Sequence, residues 1–222
     1  MRVEKLALIV AVLSMVLPVS AGPFSAWSGK GLSVEFLGRG LESGAVLDLH
    51  VTNDGAEALE FQLPQLMVLE PANAAYAPIL VESKGAWRMK PGADVTMRIS
   101  GYSLDHSKKM PRSGQSLKYR PFDGGAKYQK AQYALKKSLL VEQNPGFGPV
   151  LLPKDKHRVL VIQRVIWRSH GGNNPKTPNA LVKDLEAAFE RAGKAPSEKA
   201  IQALAGSIWR DVEKVYKALA GS

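Results

Sequence analysis

LDLHVTNDGAEALEFQL, residues Leu47 to Leu63, carries the pattern on which the fold reading rests. Leu47, Leu49 and Val51 alternate with Asp48 and His50, and a period of two puts alternate side chains on opposite faces of a strand. Asn53-Asp54-Gly55 then supplies residues that tolerate the φ values of a tight reversal. Leu59, Phe61 and Leu63 resume the alternation against Glu60 and Gln62, until Pro64 removes a ladder donor.

Outward from this stretch the same signature recurs. Leu32, Val34 and Phe36 alternate before it, and Val95, Met97 and Ile99 alternate after the Pro91-Gly92 turn. Leu66 to Leu69 is a short continuous apolar run, suited to burial on both faces. Ile79-Leu80-Val81, then Trp87 with Met89, add two further short strands. Seven such strands between Gly31 and Tyr102 predict an antiparallel β-sandwich, with Val34, Leu49, Val51, Phe61, Val81, Trp87, Met97 and Ile99 in its core.

The period changes downstream. Residues 103–125 are rich in polar and turn-forming types and read as a basic loop. From Ala126 the spacing is helical, with Tyr128, Ala131, Ala134 and Leu135 on one face and Lys127, Lys130, Lys136 and Lys137 on the other sides. Residues 156–169 fit either a helix that begins at Asp155 or a β-branched strand, and helix is preferred. Helices are expected over about 179–192 and 197–219, the latter with Ile201, Leu204, Ile208, Val212 and Val215 on one face. The fold class is therefore α+β: residues 31–102 form the sandwich and residues 126–222 a mainly helical region.

Compartment is set by residues 1–21. Arg2 and Lys5 flank the start of an apolar run from Leu6 to Leu17, Pro18 breaks it, and Val19-Ser20-Ala21 places small residues at a cleavage site. This is the layout of a secretory signal peptide, too short to span a bilayer as a mature helix. It predicts a protein working outside the cytoplasm of a bacterium, in the periplasm or beyond. No later run is long and apolar enough to be a transmembrane segment.

The chain has no cysteine. An exported domain without disulfides depends on packing and hydrogen bonds for its stability. The same absence excludes a Cys-anchored lipoprotein, a c-type cytochrome, a thiol enzyme and Cys-ligated metal. His50, His106, His157 and His170 form no local metal pair, and Asp48 with His50, or Asp155 with His157, supplies only two ligands each. Asp105-His106-Ser107 holds the letters of a triad, but adjacent residues cannot build its relay. No G-x-S-x-G elbow, dinucleotide loop or P-loop is present, so neither a cofactor nor a metal is expected.

Leu47 to Gly55, followed by Leu59-Glu60-Phe61 and Lys90-Pro91-Gly92, resembles the immunoglobulin-like modules of exported bacterial proteins. Those modules share a strand pattern and not a site. A second resemblance lies in Gly101-Tyr102-Ser103-Leu104 and Val161-Ile162-Gln163-Arg164-Val165-Ile166-Trp167. Together they look like the paired motifs of bacterial thioester adhesion domains, where a cysteine and a glutamine side chain are cross-linked. Ser103 stands at the cysteine position and Gln163 at the glutamine position. Without the thiol no thioester forms, so this resemblance implies a relationship of fold and not of chemistry. The simpler reading makes Tyr102, Ile166 and Trp167 core residues.

Charge is strongly segregated. The chain carries +10 overall, yet residues 22–83 sum to −6 and residues 84–137 to +10. Lys108, Lys109, Arg112, Lys118, Arg120, Lys127, Lys130, Lys136 and Lys137 cluster there, interleaved with Tyr119, Phe122, Tyr128 and Tyr133. Cations with aromatics bind anionic polymers through charge and stacking. Outside the cytoplasm these include lipopolysaccharide, teichoic acid, acidic polysaccharide, anionic membrane and DNA. The plainer alternatives are a solvated surface, or a patch covered by the acidic block.

The expected function is an exported, non-catalytic binding or structural component of the cell envelope or extracellular matrix. Its partner is an anionic polymer or another envelope protein. The alternative is an exported hydrolase with a dispersed active site. Cleavage after Ala21 predicts Gly22 as the mature N-terminus by mass spectrometry of the native protein. An intact Met1 in the cytosolic fraction overturns the export reading.

Overall fold

A computed structural model describes residues 31–63, 66–82, 85–117, 119–121, 126–143, 152–170 and 178–220. The expected signal peptide and Lys118 lie outside them. The alternating stretches form strands β1 (Leu32–Gly38), β2 (Ser43–Asn53), β3 (Leu59–Gln62), β4 (Val68–Pro71), β5 (Ile79–Val81), β6 (Ala86–Met89) and β7 (Asp94–Ser103). Two further strands, β8 (Ser116–Leu117) and β9 (Tyr119–Pro121), arise inside the segment expected to be a loop.

All the pairings between these strands are antiparallel, with Phe36 opposite Leu49, and Leu49 opposite Met97. Seven strands join in the order β8-β1-β2-β7-β5-β4-β9. Its two edge strands, β8 and β9, are separated in sequence by a single residue. Leu117 and Tyr119 can be at most about 7 Å apart at Cα, so the sheet must roll until its edges nearly meet. The basic segment thus closes the sheet. Pro111 and Arg112 press so closely on β1 that a Cβ at Gly38 would come within 2.5 Å of the Pro111 side chain.

The sandwich expectation is met only in part. In place of two comparable sheets, the rolled sheet is covered on one face by a separate two-stranded unit, β3 with β6. Phe61 stacks on Trp87 there, with ring centroids 5.1 Å apart. The Asn53-Asp54-Gly55 turn sends the chain from one layer to the other instead of making a hairpin. Asn53, fully buried, fastens the layers by donating to the Glu57 and Met89 carbonyls at 2.8 and 3.1 Å.

The sheet's other face carries four helices: α1 (Ala126–Gln143), α2 (Lys154–His170), α3 (Pro178–Arg191) and α4 (Glu198–Ala220). That is why no second full sheet is needed. In β4 and β5 the alternation sorts Val68 and Leu80 to the helical side, and Leu69, Ile79 and Val81 to the side of β3 and β6. Residues 156–169 are helical. Val161, Ile162, Val165 and Ile166 are all fully buried among sheet and helices, which explains a run apolar on several sides. The helices thus share one buried cluster with this face of the sheet, and β3 and β6 share a second with the other face.

Leu49, Val51, Phe61, Val81 and Ile99 are buried as expected, while Val34, Trp87 and Met97 are partly buried against the same core. With Phe61 only 2% exposed and no disulfide to compensate, Phe61→Ala is expected to cost about 3–5 kcal/mol. A denaturant titration with an unchanged midpoint overturns this assignment of the β3–β6 unit as part of the core.

Candidate functional site

Strand β7 ends at Ser103, where the chain leaves the sheet but remains buried. Buried backbone groups need partners, and here helix α2 supplies them. The Ser103 N–H donates to the Glu42 carbonyl at 2.8 Å and to Gln163 Oε1 at 3.1 Å. The Ser103 carbonyl accepts from Gln163 Nε2 at 2.8 Å and from Trp167 Nε1 at 2.9 Å. Gln163 and Trp167 lie four residues apart, so both face the same strand end. The two motifs singled out in the sequence meet at this joint. Gly101 fits the same crowding, because a Cβ there would lie 2.8 Å from the Leu80 carbonyl oxygen.

The contact is structural in form. Both polar atoms of the Gln163 amide are spent on the Ser103 backbone. The Ser103 hydroxyl donates to the Asp105 carbonyl at 3.2 Å, and Ser103 is only 1% exposed. Neither group is presented to a substrate.

Charged residues ring this joint. Arg164, buried beside Trp167, sets its guanidinium carbon 4.9 Å from the indole centroid and donates to Asp184 at 2.5 Å. Its Nε and Nη1 have no hydrogen-bond acceptor among the described residues. His106 meets Trp167 edge-on at 5.6 Å. Glu42 keeps an exposed surface, yet burial raises its carboxyl above the ordinary value. The nearby Asp184 charge adds to that shift, while Arg164, Arg191 and His106 oppose it.

Other polar pairs tie neighbouring elements together. Glu82 accepts from the Tyr102 hydroxyl at 2.7 Å and from Arg158 at 2.6 Å, linking the sheet to α2. His157 does not join Asp155 but lies, fully buried, 2.7 Å from Asp211 of α4. Asp48 takes Arg39 at 2.8 Å, and His50 lies 2.5 Å from Asp94. His170 ends α2 as expected, but burial lowers its pKa, and Lys127 and Lys130 lower it further, so it is not a favoured cation. Among the described residues, no group of three or more His, Asp or Glu is placed to hold a metal.

The nine basic candidates divide. Lys127 donates to Glu70 at 3.0 Å, and hydrogen bonding to Tyr128 and Glu70 holds its pKa above the usual value. Arg120 registers opposite the same Glu70 across β4 and β9. Lys108 sits 4.0 Å from Asp105. Lys109 and Arg112 are exposed, but Arg112 lies beside β1, where its N–H donates to Gln115 Oε1 at 3.1 Å. Lys118 is outside the described residues. Lys130 and Lys136 are exposed on α1, and the Lys137 ammonium lies 5.5 Å from the centroid of Tyr133. Tyr133 is 41% exposed, whereas Tyr128 is buried and donates to Glu70 at 2.6 Å.

Sequence reasoning did not single out Glu42, Glu82, Arg158 or Asp184. The available signal was Arg164, a charge set inside the apolar run Val159 to Trp167. The raised Glu42 pKa has a defined consequence. The folded state binds that proton more tightly than the unfolded chain, so ionising Glu42 opposes folding as pH rises above about 4.5. Glu42→Gln should therefore raise the melting temperature at pH 7, and the gain should vanish well below pH 4. An equal effect at both pH values removes the electrostatic account.

No protein-family model, curated protein or solved structure matches this chain.

Proposed function

We propose that this is an exported, non-catalytic binding component of the cell envelope or extracellular matrix, which contacts an anionic polymer through the outer face of α1. The observation that carries the reading is the composition of that face. At 100° per residue, Gln129, Lys130, Tyr133, Lys136 and Lys137 occupy one arc. The buried Tyr128, Ala131, Ala134, Leu135 and Ser138 occupy the opposite arc. The outer arc bears three cations, one aromatic ring and no carboxylate.

Part of the basic cluster is neutralised internally, as Lys127 is by Glu70, and the α1 face, with the exposed Lys109 and Arg112, is what remains for a partner. The exported location rests on the layout of residues 1–21. Kinship with immunoglobulin-like modules rests on strand alternation alone. Kinship of fold with the thioester adhesion domains rests on the two sequence motifs that supply the Ser103–Gln163 contact. The same contact speaks against a hydrolase there, since both side chains are occupied by backbone.

Replacing Lys130, Lys136 and Lys137 together with Gln should weaken binding to an anionic polymer. It should also reduce the slope of log affinity against log salt by about 2–3, as each neutralised charge releases a counterion. Lys127→Gln should alter that slope less, because its ammonium already faces Glu70. The melting temperature should stay close to that of the parent, exposed substitutions having small effects. Salt-independent binding, or binding unaltered in the triple variant, rejects the α1 face.

A further inference from the structure

We infer that the polymer recognised by the α1 face is an acidic polysaccharide built of uronic acid rings, with Tyr133 as the ring-stacking contact; this rests on the function proposed above. Lys130 and Lys137 are seven residues apart, about 10 Å along the helix axis. Tyr133 lies between them in sequence and within about 60° of both around the helix. The Lys137 ammonium over the Tyr133 ring makes cation and aromatic surface a single unit. Such a unit matches a ligand that presents a flat apolar ring face and carboxylates together, as a uronate chain does.

Competing polyanions fit the arc less well. A membrane-surface helix buries an apolar face in lipid, but the apolar face of α1 is consumed by the core, where Tyr128, Ala131, Ala134 and Leu135 are all at most 1% exposed. Single-stranded nucleic acid is held by successive aromatic platforms, and α1 offers only Tyr133, since Tyr128 is buried against Glu70. Polyphosphate has charge but no ring to stack.

The test measures affinities of the mature protein, and of its Tyr133→Ala and Tyr133→Phe variants, at equal charge concentration. The probes are polygalacturonate, inorganic polyphosphate, single-stranded DNA and anionic phosphatidylglycerol vesicles. The expected result is preference for polygalacturonate. Tyr133→Ala should lose at least about five-fold of that affinity, as loss of one stacking contact implies, and Tyr133→Phe should retain it. Affinity for polyphosphate should be unchanged in both variants. Thermal melts check that each variant is folded. Equal binding of polygalacturonate and polyphosphate, or indifference to Tyr133→Ala, overturns the uronate assignment and leaves the basic face standing. Preference for DNA or vesicles overturns the assignment in the same way. Binding to none of the probes overturns both readings.

Discussion

The burial of the Ser103 backbone is the constraint on which the joining of sheet and helices depends. Strand β7 pairs with β2 on one side and β5 on the other, so it runs through the middle of the sheet. Where it ends, its amide and carbonyl lie in a region sealed by α2. An unpaired backbone group there would cost about 1–3 kcal/mol. Gln163 acts as a replacement strand, donating and accepting with the same residue, and the indole of Trp167 adds a donor. This fixes the rotation of α2 on the sheet. With α2 fixed, its apolar residues face the sheet and the neighbouring helices, and Arg158 reaches Glu82 beneath Tyr102.

Local periodicity made most elements legible. The seven alternating or apolar stretches are strands, and the four helical segments are helices. What could not be read was how the strands join. β3 pairs with β6, more than twenty residues away in sequence, and nothing in either stretch names the other. β8 and β9 are too short to display a period, and Pro121 and Arg120 look like loop residues. Yet these two strands decide the architecture, because edges that are one residue apart in the chain force the sheet to roll. The sandwich expectation followed from strand count and spacing, which do not distinguish two facing sheets from one curled sheet.

The candidate site was legible to a different degree. Linear density found the lysines but not their neighbours, and electrostatic meaning depends on neighbours. Lys127 and Lys130 are three residues apart and looked equivalent. Lys127 begins the helix beside Glu70 at the end of β4, whereas Lys130 falls on the outer arc. Charged residues inside apolar runs carried more information than the runs of charge. Arg164 lies in such a run, and it marks the joint where Asp184, Trp167 and His106 meet.

The separation of charge along the chain has an internal cause. Glu70 and Glu82 belong to the acidic block, and each meets a cation supplied by a helix, Lys127 or Arg158. Opposite signs in the two halves thus favour docking of the helices on the sheet, and the buried Arg158–Glu82 pair also disfavours alternative dockings by leaving a charge unpaired. That demand accounts for the carboxylates at the interface and for the cations that answer them. It does not account for Lys130, Lys136 and Lys137, which lie on the side of α1 away from the core. Folding requires only that this side be soluble, and a mixture of signs would serve equally well. A surface that carries three lysines and no carboxylate around an exposed tyrosine has a composition that the fold does not require, and that surplus of charge is what the proposed contact with an anionic polymer would use.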